Sequence, residues 1–261
     1  MRGGGTAVRL LLFDVDGTLV LTGGAAVRAM DAAFVEVFGV RGAFDGVALA
    51  GRTDGSILAD AYARAFPASP VSRNLADATG AVPIDGAIAR YKATYFARFA
   101  NEILKPVPVD PAKPHRHRFK GVFPGVRELL DVLQPRPDVF LGLLTGNYEE
   151  GARIKLAYFD LWRYFACGAF GDDSLDRPAL VPIAIERARA EGCPPVAPSN
   201  ILVIGDTPLD VACARESGVS SVAVTTGGYS ADALRAAGAD IVFDNFTDTR
   251  AVVAALTGAR R

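Results

Sequence analysis

The sequence predicts an α/β fold, a doubly wound, Rossmann-like parallel sheet that carries an inserted α-helical cap. Short apolar runs end repeatedly in turn or acidic residues, as the strands of a parallel sheet buried on both faces do. Helical patterns lie between those runs, and this alternation of strand and helix is typical of a doubly wound sheet. A long interval near the N-terminus instead holds helical patterns and almost no strand signal. That interval predicts the inserted cap.

The composition is typical of a globular protein with a small-molecule ligand. The chain has 261 residues, of which 50% are hydrophobic, enough for a packed core. A formal net charge of −1 offers no field for polyanions, so neither nucleic acid nor a membrane surface is an expected partner. Three widely spaced cysteines favour a reducing compartment, and no run reaches the ~18 apolar residues of a membrane span. We expect a cytoplasmic monomer or homodimer.

The first predicted strand, at about residues 8–13, runs directly into two acids, Asp14 and Asp16. The carboxyl ends of the strands are the ligand-binding edge of such a sheet, and side chains two residues apart in an extended segment point the same way. Both carboxylates are therefore expected to face one pocket, as a nucleophile and its acid-base partner. The alternative interpretation is a turn that carries two acids by accident.

The helical interval that follows predicts the domain organisation. We expect a core formed by residues 1–20 and 121–261, and a helical cap formed by residues 21–120. The return segment, at about 105–120, is rich in proline and basic residues and is expected to be an extended linker. His115 and His117 lie there, and a solvated basic run is the expected interpretation rather than a catalytic pair.

The second clear strand, at 139–144, is followed by Thr145, Gly146 and Asn147. A hydroxyl, an amide and backbone N–H groups at a strand end are suited to binding phosphate oxygens. By itself the segment is equally consistent with an ordinary turn. Its position at the same sheet edge as the first acids favours phosphate binding.

A third apolar strand, at 201–204, also runs into acids. Thr207 is expected to cap the next helix and Pro208 to take its first position, which makes Asp210 a capping acid of the first turn. Asp206 is expected beside Asp14 at the sheet edge, where clustered carboxylates need protons or a cation, and hard oxygen ligands suit Mg²⁺. The remaining patterns predict strands at 222–224 and 241–243 and helices at about 126–133, 178–191, 209–217 and 231–237.

Together these motifs resemble the haloacid dehalogenase-like hydrolases, and in particular the phosphoglycolate phosphatase-like and beta-phosphoglucomutase-like members with a helical cap. Residues 14–19 (DVDGTL) match the first family motif, Thr145 the second, and residues 205–210 the fourth. The third motif, usually a lysine and sometimes an arginine, is placed at Arg177, before the helix that precedes the 201–204 strand. Lys155 is the competing cation, for which a solvated basic helix face is the ordinary explanation.

The resemblance implies a Mg²⁺-dependent phosphatase that acts on a small phosphorylated metabolite through an aspartyl-phosphate. It implies that Asp14 is the nucleophile, that Asp16 is the general acid and base, and that Arg177 is the cationic phosphate clamp. Phosphate oxygens would meet Thr145, Gly146, Asn147 and Arg177. The implied metal ligands are the side chains of Asp14 and Asp206 and the backbone carbonyl of Asp16, with Asp210 holding a metal-bound water or orienting Asp206.

Two other functions are considered. A phosphomutase of the beta-phosphoglucomutase type shares all four motifs, and a non-catalytic binding module is disfavoured because every polar role of the cycle is filled. Substrate choice is expected to lie in the cap, where Thr53 is predicted to cap a helix and Arg52 lies beside that helix N-terminus. We expect Arg52 to meet a substrate carboxylate or second phosphate, with an exposed, unengaged arginine as the alternative.

Overall fold

The structure is a computed structural model that describes residues 7–67, 84–108 and 119–258. Its strands are β1 (Arg9–Phe13), β2 (Val20–Thr22), β3 (Lys120–Val122), β4 (Val139–Leu144), β5 (Cys167–Ala169), β6 (Ile201–Gly205), β7 (Ser220–Val224) and β8 (Ile241–Phe243). Its helices are α1 (Ala25–Phe38), α2 (Asp54–Ala65), α3 (Ile84–Glu102), α4 (Val126–Leu133), α5 (Glu149–Tyr158), α6 (Leu180–Ala190), α7 (Pro208–Glu216), α8 (Ala231–Ala236) and α9 (Thr249–Thr257).

Six of these strands form one parallel sheet in the order β5-β4-β1-β6-β7-β8. Leu11 and Phe13 of β1 pack with α4, α5 and α9 on one face, whereas Leu10 and Leu12 pack with α6 and α7 on the other. Because both faces are covered, the strands are continuous apolar runs rather than alternating ones. The predicted α/β fold class is confirmed.

The predicted strands and helices of the sheet are present, with shifts of one or two residues at their ends. The strand β5 and the helix α9 were not predicted. β5 has three residues and lies at an edge of the sheet, so its sequence carries too few side chains for a pattern.

The cap helices α1, α2 and α3 surround a hydrophobic cluster of their own. Its centre is aromatic: Phe34, Tyr91, Tyr95 and Phe99 are all almost fully buried. The chain passes between the sheet and these helices through β2 and β3, which pair antiparallel with each other. The predicted division at 20/21 and 120/121 runs through this pair and stays a prediction.

Two further predictions concern the return linker and membrane-spanning helices. Most of the predicted return linker, including His115 and His117, lies outside the described residues. In the part of the chain that the structure describes, no helix combines the length and the apolar character needed to cross a membrane.

Candidate active site

The register of the sheet places the loops that follow β1, β4 and β6 next to one another. Phe13, the last residue of β1, is paired with Leu143 of β4 on one side and Ile204 of β6 on the other. The residues that follow these strands, Asp14, Thr145 and Asp206, therefore emerge side by side at the carboxyl edge. The order of strands changes direction between β1 and β6, which is where a doubly wound sheet opens a ligand crevice.

Asp14 is held in a buried, charged environment. Only 4% of it is exposed, and Nη2 of Arg177 donates to its Oδ1 over 2.9 Å. The same guanidinium nitrogen donates to Oδ1 of Asp210. Burial raises the pKa of Asp14 to about 7; Arg177 opposes this rise, while Asp210 and Asp16 add to it. The predicted nucleophile and the predicted third-motif cation are thus in direct contact.

Asp206 completes a cluster of carboxylates. One oxygen each of Asp14, Asp206 and Asp210 lie within 4.8 Å of one another. Burial, with the charges of Asp14 and Asp210, raises the pKa of Asp206 well above its usual range. Oδ1 of Asp206 accepts from the Thr18 hydroxyl over 3.2 Å. The backbone at Gly17 lies close to the Asp206 carboxylate. Only glycine fits there, since φ is 84° and a Cβ would lie 2.4 Å from Oδ2 of Asp206.

The carboxylate cluster fits a divalent cation. Of the three carboxylates, Asp14 and Asp210 are bonded to the one guanidinium of Arg177, so ionisation of all three would leave an excess of negative charge. The donors are hard carboxylate oxygens of the kind that Mg²⁺ prefers. Oδ2 of Asp210, however, already accepts from the backbone N–H and the hydroxyl of Thr207, at 3.0 and 2.7 Å, in a capping box. The predicted capping role of Asp210 is confirmed, and Asp14 and Asp206 have more free ligand capacity.

Asp16 lies on the other side of the pocket in a hydrogen-bond network of its own. Its side chain is 37% exposed, and its Oδ2 accepts from Nδ2 of Asn147 over 2.8 Å and from Nζ of Lys155. Lys155 also donates to Oδ1 of Asn147, while Nδ2 of Asn147 donates to the Thr145 hydroxyl over 2.7 Å. The network therefore links the predicted acid-base residue to the predicted phosphate-binding loop.

The expectation of a solvated face for Lys155 is wrong. Its side chain is only 4% exposed, and its Nζ lies 5.9 Å from the ring centre of Phe99 on α3. The cap helix α3 packs against α5. The face of α5 that carries Lys155 is therefore buried rather than solvated. A signal was present in the sequence, because Gly151 and Ala152 precede Lys155 by one turn and small residues on a helix face permit close packing.

The segment that leads into α2 docks on the core loops. The backbone N–H of Asp54 donates to the Gly146 carbonyl over 2.7 Å, and Oδ2 of Asp54 accepts from the backbone N–H of Tyr148 over 2.9 Å. Nη1 of Arg177 donates to the Gly51 carbonyl over 2.9 Å. A Cβ at Gly146 would lie 2.1 Å from the Arg52 carbonyl oxygen, so cap and core backbones are in contact there.

The side chains of Thr53 and Arg52 both have partners within the protein. Thr53 is the predicted N-cap of α2, and its hydroxyl also donates to the Leu175 carbonyl over 2.9 Å. Arg52 lines the cavity, but its guanidinium is paired with Asp60 over 2.5 Å and also donates to the Ser56 carbonyl. The substrate-binding roles of Arg52 and Thr53 stay predictions.

The catalytic edge and the cap enclose a cavity of about 230 Å³. Asp14, Asp16, Thr145, Arg177 and Asp206 line it on the core side. Its cap side includes Asp54, which is 6% exposed and which the sequence analysis did not identify. Burial raises the pKa of Asp54 to about 7, although the charge of Lys155 opposes the rise.

Comparison with known proteins identifies the family to which this site belongs. The family model described as haloacid dehalogenase-like hydrolase matches residues 11–215, which include every residue of the site described above. The chain belongs to the haloacid dehalogenase-like hydrolase family. The predicted resemblance and the predicted enzyme class, a hydrolase of this superfamily, are confirmed.

Several similar proteins align with most of this chain. "Probable phosphatase IndB" of Dickeya dadantii is 27% identical over 243 residues, which are 92% of this chain and 90% of that protein. A phosphoglycolate phosphatase of Pseudomonas syringae pv. syringae is 28% identical over 228 residues, 85% of this chain and 71% of that protein. The crystal structure of a "predicted phosphatase" from Clostridium acetobutylicum superimposes with a TM-score of 0.63, covering 95% of this chain and 99% of that one, at 17% identity. At that identity the structural likeness supports the fold alone.

Proposed function

We propose that this haloacid dehalogenase-like hydrolase is a Mg²⁺-dependent phosphatase that releases phosphate from a small phosphorylated metabolite. The observation that carries the proposal is the pairing of buried Asp14 with Arg177, beside Asp206 and with Asp16 facing the same cavity. This set contains a nucleophile, a clamp for phosphate oxygens, cation ligands and a proton donor. The relatives named as phosphatases support the same reaction class.

In the proposed first half-reaction a carboxylate oxygen of Asp14 attacks phosphorus. The bond from phosphorus to the leaving oxygen breaks, and the carboxyl of Asp16 gives its proton to that oxygen, which leaves as an alcohol. Arg177 and the Thr145 hydroxyl offer donors to the phosphoryl oxygens, where negative charge must be stabilised. The product bound to the enzyme is an aspartyl-phosphate on Asp14.

In the second half-reaction water attacks the aspartyl-phosphate and Asp16 takes up the proton. Phosphate leaves, and Asp14 returns as a carboxylate. Lys155 and Asn147 hold the side chain of Asp16 at the cavity in both half-reactions, because both donate to its Oδ2. Mg²⁺, held by Asp14 and Asp206 with the Asp16 backbone carbonyl and Asp210 nearby, would supply positive charge that lowers the repulsion between the nucleophile and the phosphate dianion.

The phosphomutase alternative uses the same catalytic residues and differs in the fate of the phosphoryl group. A mutase returns it to a second hydroxyl of the sugar, whereas a phosphatase gives it to water. The products separate the two: free phosphate for the phosphatase and an isomerised sugar phosphate for the mutase. A cytoplasmic location and a monomeric or homodimeric state remain predictions.

The test of the proposed function is phosphate release from a panel of sugar phosphates, phosphoglycolate, nucleotides and simple alkyl phosphates, with and without Mg²⁺. We expect Mg²⁺-dependent release by the wild-type protein and loss of release in Asp14→Asn, which keeps the size of the side chain and its acceptor for Arg177. A circular dichroism spectrum and a melting curve check that the variant is folded. Near-normal turnover by Asp14→Asn would refute the assignment of the nucleophile, and no release from any compound would refute the phosphatase.

A further inference from the structure

The side of the cavity that faces away from Asp14 is mainly apolar, whereas the side that carries Asp14 is polar and charged. It is contributed by the cap and its connections, and most of its larger side chains are apolar: Leu21, Val27, Met30, Leu49, Ile57 and Phe119. Val27 and Phe119 are each 37% exposed, although apolar side chains gain by burial. A leaving group bound over them would remove that apolar surface from water.

Charge on the same side is unfavourable for an anionic leaving group. Among the cavity-lining residues that the structure describes, the lysine and arginine side chains are those of Arg52, Lys155 and Arg177, and each is already paired with a carboxylate. Arg52, the one that belongs to the cap, is held by Asp60 and by the carbonyls of Ala48 and Ser56.

Asp54 adds a carboxylate to this wall. Its one side-chain hydrogen bond among the described contacts comes from the backbone N–H of Tyr148, so no cation is bonded to it. Among the residues that the structure describes, a second anionic group on the substrate would therefore lie near Asp54 with no unpaired cation beside it, which is an unfavourable arrangement.

We infer that the cavity selects a phosphate ester whose leaving group is uncharged and largely apolar, rather than phosphoglycolate or a bisphosphate. This inference rests on the proposed function. The volume of about 230 Å³ lies below the range of ~300–1,000 Å³ typical for drug-sized ligands, so the leaving group is small. The phosphoryl group occupies the polar end at Asp14, and the organic part extends over Val27, Met30 and Ile57.

The test compares kcat/KM for a series of n-alkyl phosphates, from ethyl to hexyl, with kcat/KM for 2-phosphoglycolate. Each added methylene is expected to raise kcat/KM about fourfold until the cavity is filled, which corresponds to the transfer of one methylene from water. Propyl phosphate, which matches phosphoglycolate in chain length but lacks its carboxylate, is expected to be the better substrate by about tenfold or more.

A matched pair of variants at Val27 tests the wall directly. Val27→Lys introduces a cation into the apolar wall at a partly exposed position, and Val27→Met is the uncharged control, which is of similar length and keeps the wall apolar. We expect the lysine variant alone to gain activity on phosphoglycolate, relative to propyl phosphate, by about tenfold.

The outcomes separate this inference from the proposed function. Preference for phosphoglycolate over propyl phosphate, or a flat response along the alkyl series, would overturn the inference while the phosphatase assignment stood. Absence of Mg²⁺-dependent release from every ester would overturn the phosphatase itself, and the inference with it.

Discussion

At the scale of single residues, the most consequential placement is that of Lys155. A buried ammonium is stable only when it is paired, and here Asp16 and Asn147 supply the partners. The pairing directs the carboxylate of Asp16 toward the cavity and joins it to the loop that carries Thr145. Arg177 has the corresponding position beside Asp14. Each predicted catalytic carboxylate thus has its own buried cation.

Replacement of Lys155 by alanine is expected to slow the proton transfer proposed for Asp16. Without the ammonium, Asp16 keeps a single side-chain donor, Asn147, and its orientation is less restricted. We expect kcat for the best phosphate ester to fall by about tenfold or more. Arg153→Ala is the control, since Arg153 lies on the same helix but pairs with Glu150 at the surface. Equal activity of the two variants would show that Lys155 does not act on the reaction.

Arg177→Lys tests why an arginine occupies the third-motif position. The guanidinium donates through Nη2 to Asp14 and through Nη1 to the cap carbonyl of Gly51, and one ammonium group cannot match both directions. We expect KM to rise by roughly tenfold, because the cap contact is lost, with a smaller change in kcat. Arg177→Gln, which removes the charge as well, should lower kcat strongly. A lysine variant with unchanged KM would contradict the proposed link to the cap.

At the scale of elements, the contact between the α2 N-terminus and the loop after β4 determines how the cavity is closed. The two backbones meet at Gly146, and two hydrogen bonds between Asp54 and the loop, one donated and one accepted by Asp54, hold them together. Because this loop also carries Thr145 and Asn147, docking of the cap and formation of the proposed phosphate site involve the same few residues. The cap therefore contributes to the site without supplying the nucleophile.

Gly146→Ala is expected to block this docking. Its Cβ would lie 2.1 Å from the Arg52 carbonyl oxygen, so either the cap or the loop must move. We expect kcat/KM to fall by about tenfold or more while the sheet stays folded, with phosphate release and circular dichroism as the measurements. Gly86→Ala on α3 is the control, because no atom lies within 4 Å of its added Cβ and alanine favours a helix by roughly 1 kcal/mol. Unchanged kinetics in Gly146→Ala would exclude a role for close cap docking.

For the protein as a whole, the carboxylate cluster is expected to couple metal binding to stability. The pKa of Asp14 is raised to about 7 and that of Asp206 is also raised, both chiefly by burial. The folded protein without metal therefore binds protons at these sites more tightly than the unfolded chain does. Its stability is expected to fall as pH rises from about 4 through 7, because the buried carboxyls ionise.

Mg²⁺ is expected to reverse this loss. Metal binding requires ionised carboxylates, so the rise in Tm on adding Mg²⁺ should be larger at pH 8 than at pH 5.5. At a concentration about 100 times Kd the gain in the free energy of unfolding is roughly 2.7 kcal/mol. Asp206→Asn should abolish most of the shift. Scanning calorimetry at both pH values provides the measurement, and an equal Mg²⁺ effect at the two values would contradict the assignment of the cluster.

The sequence alone was sufficient for the fold class and for the residues at three of the strand ends. Runs of apolar residues that end in Asp14, Thr145 and Asp206 predicted a parallel sheet, and parallel strands necessarily present those ends at one edge. The capping box of α7 and the N-cap Thr53 were also predicted, because capping depends on residues three positions apart. These features are local, so their signals lie in short segments.

Three features depend on tertiary packing instead: the burial of Lys155, the position of Asp54 and the pairing of Arg52. Lys155 is covered by α3, a helix more than fifty residues earlier in the chain, and Asp54 bonds to a loop that follows another strand. The arrangement of such contacts depends on how the cap packs on the core, which no local periodicity encodes. The sequence thus determined the chemistry of the catalytic edge, and the packing of the two parts determined the shape and charge of the cavity.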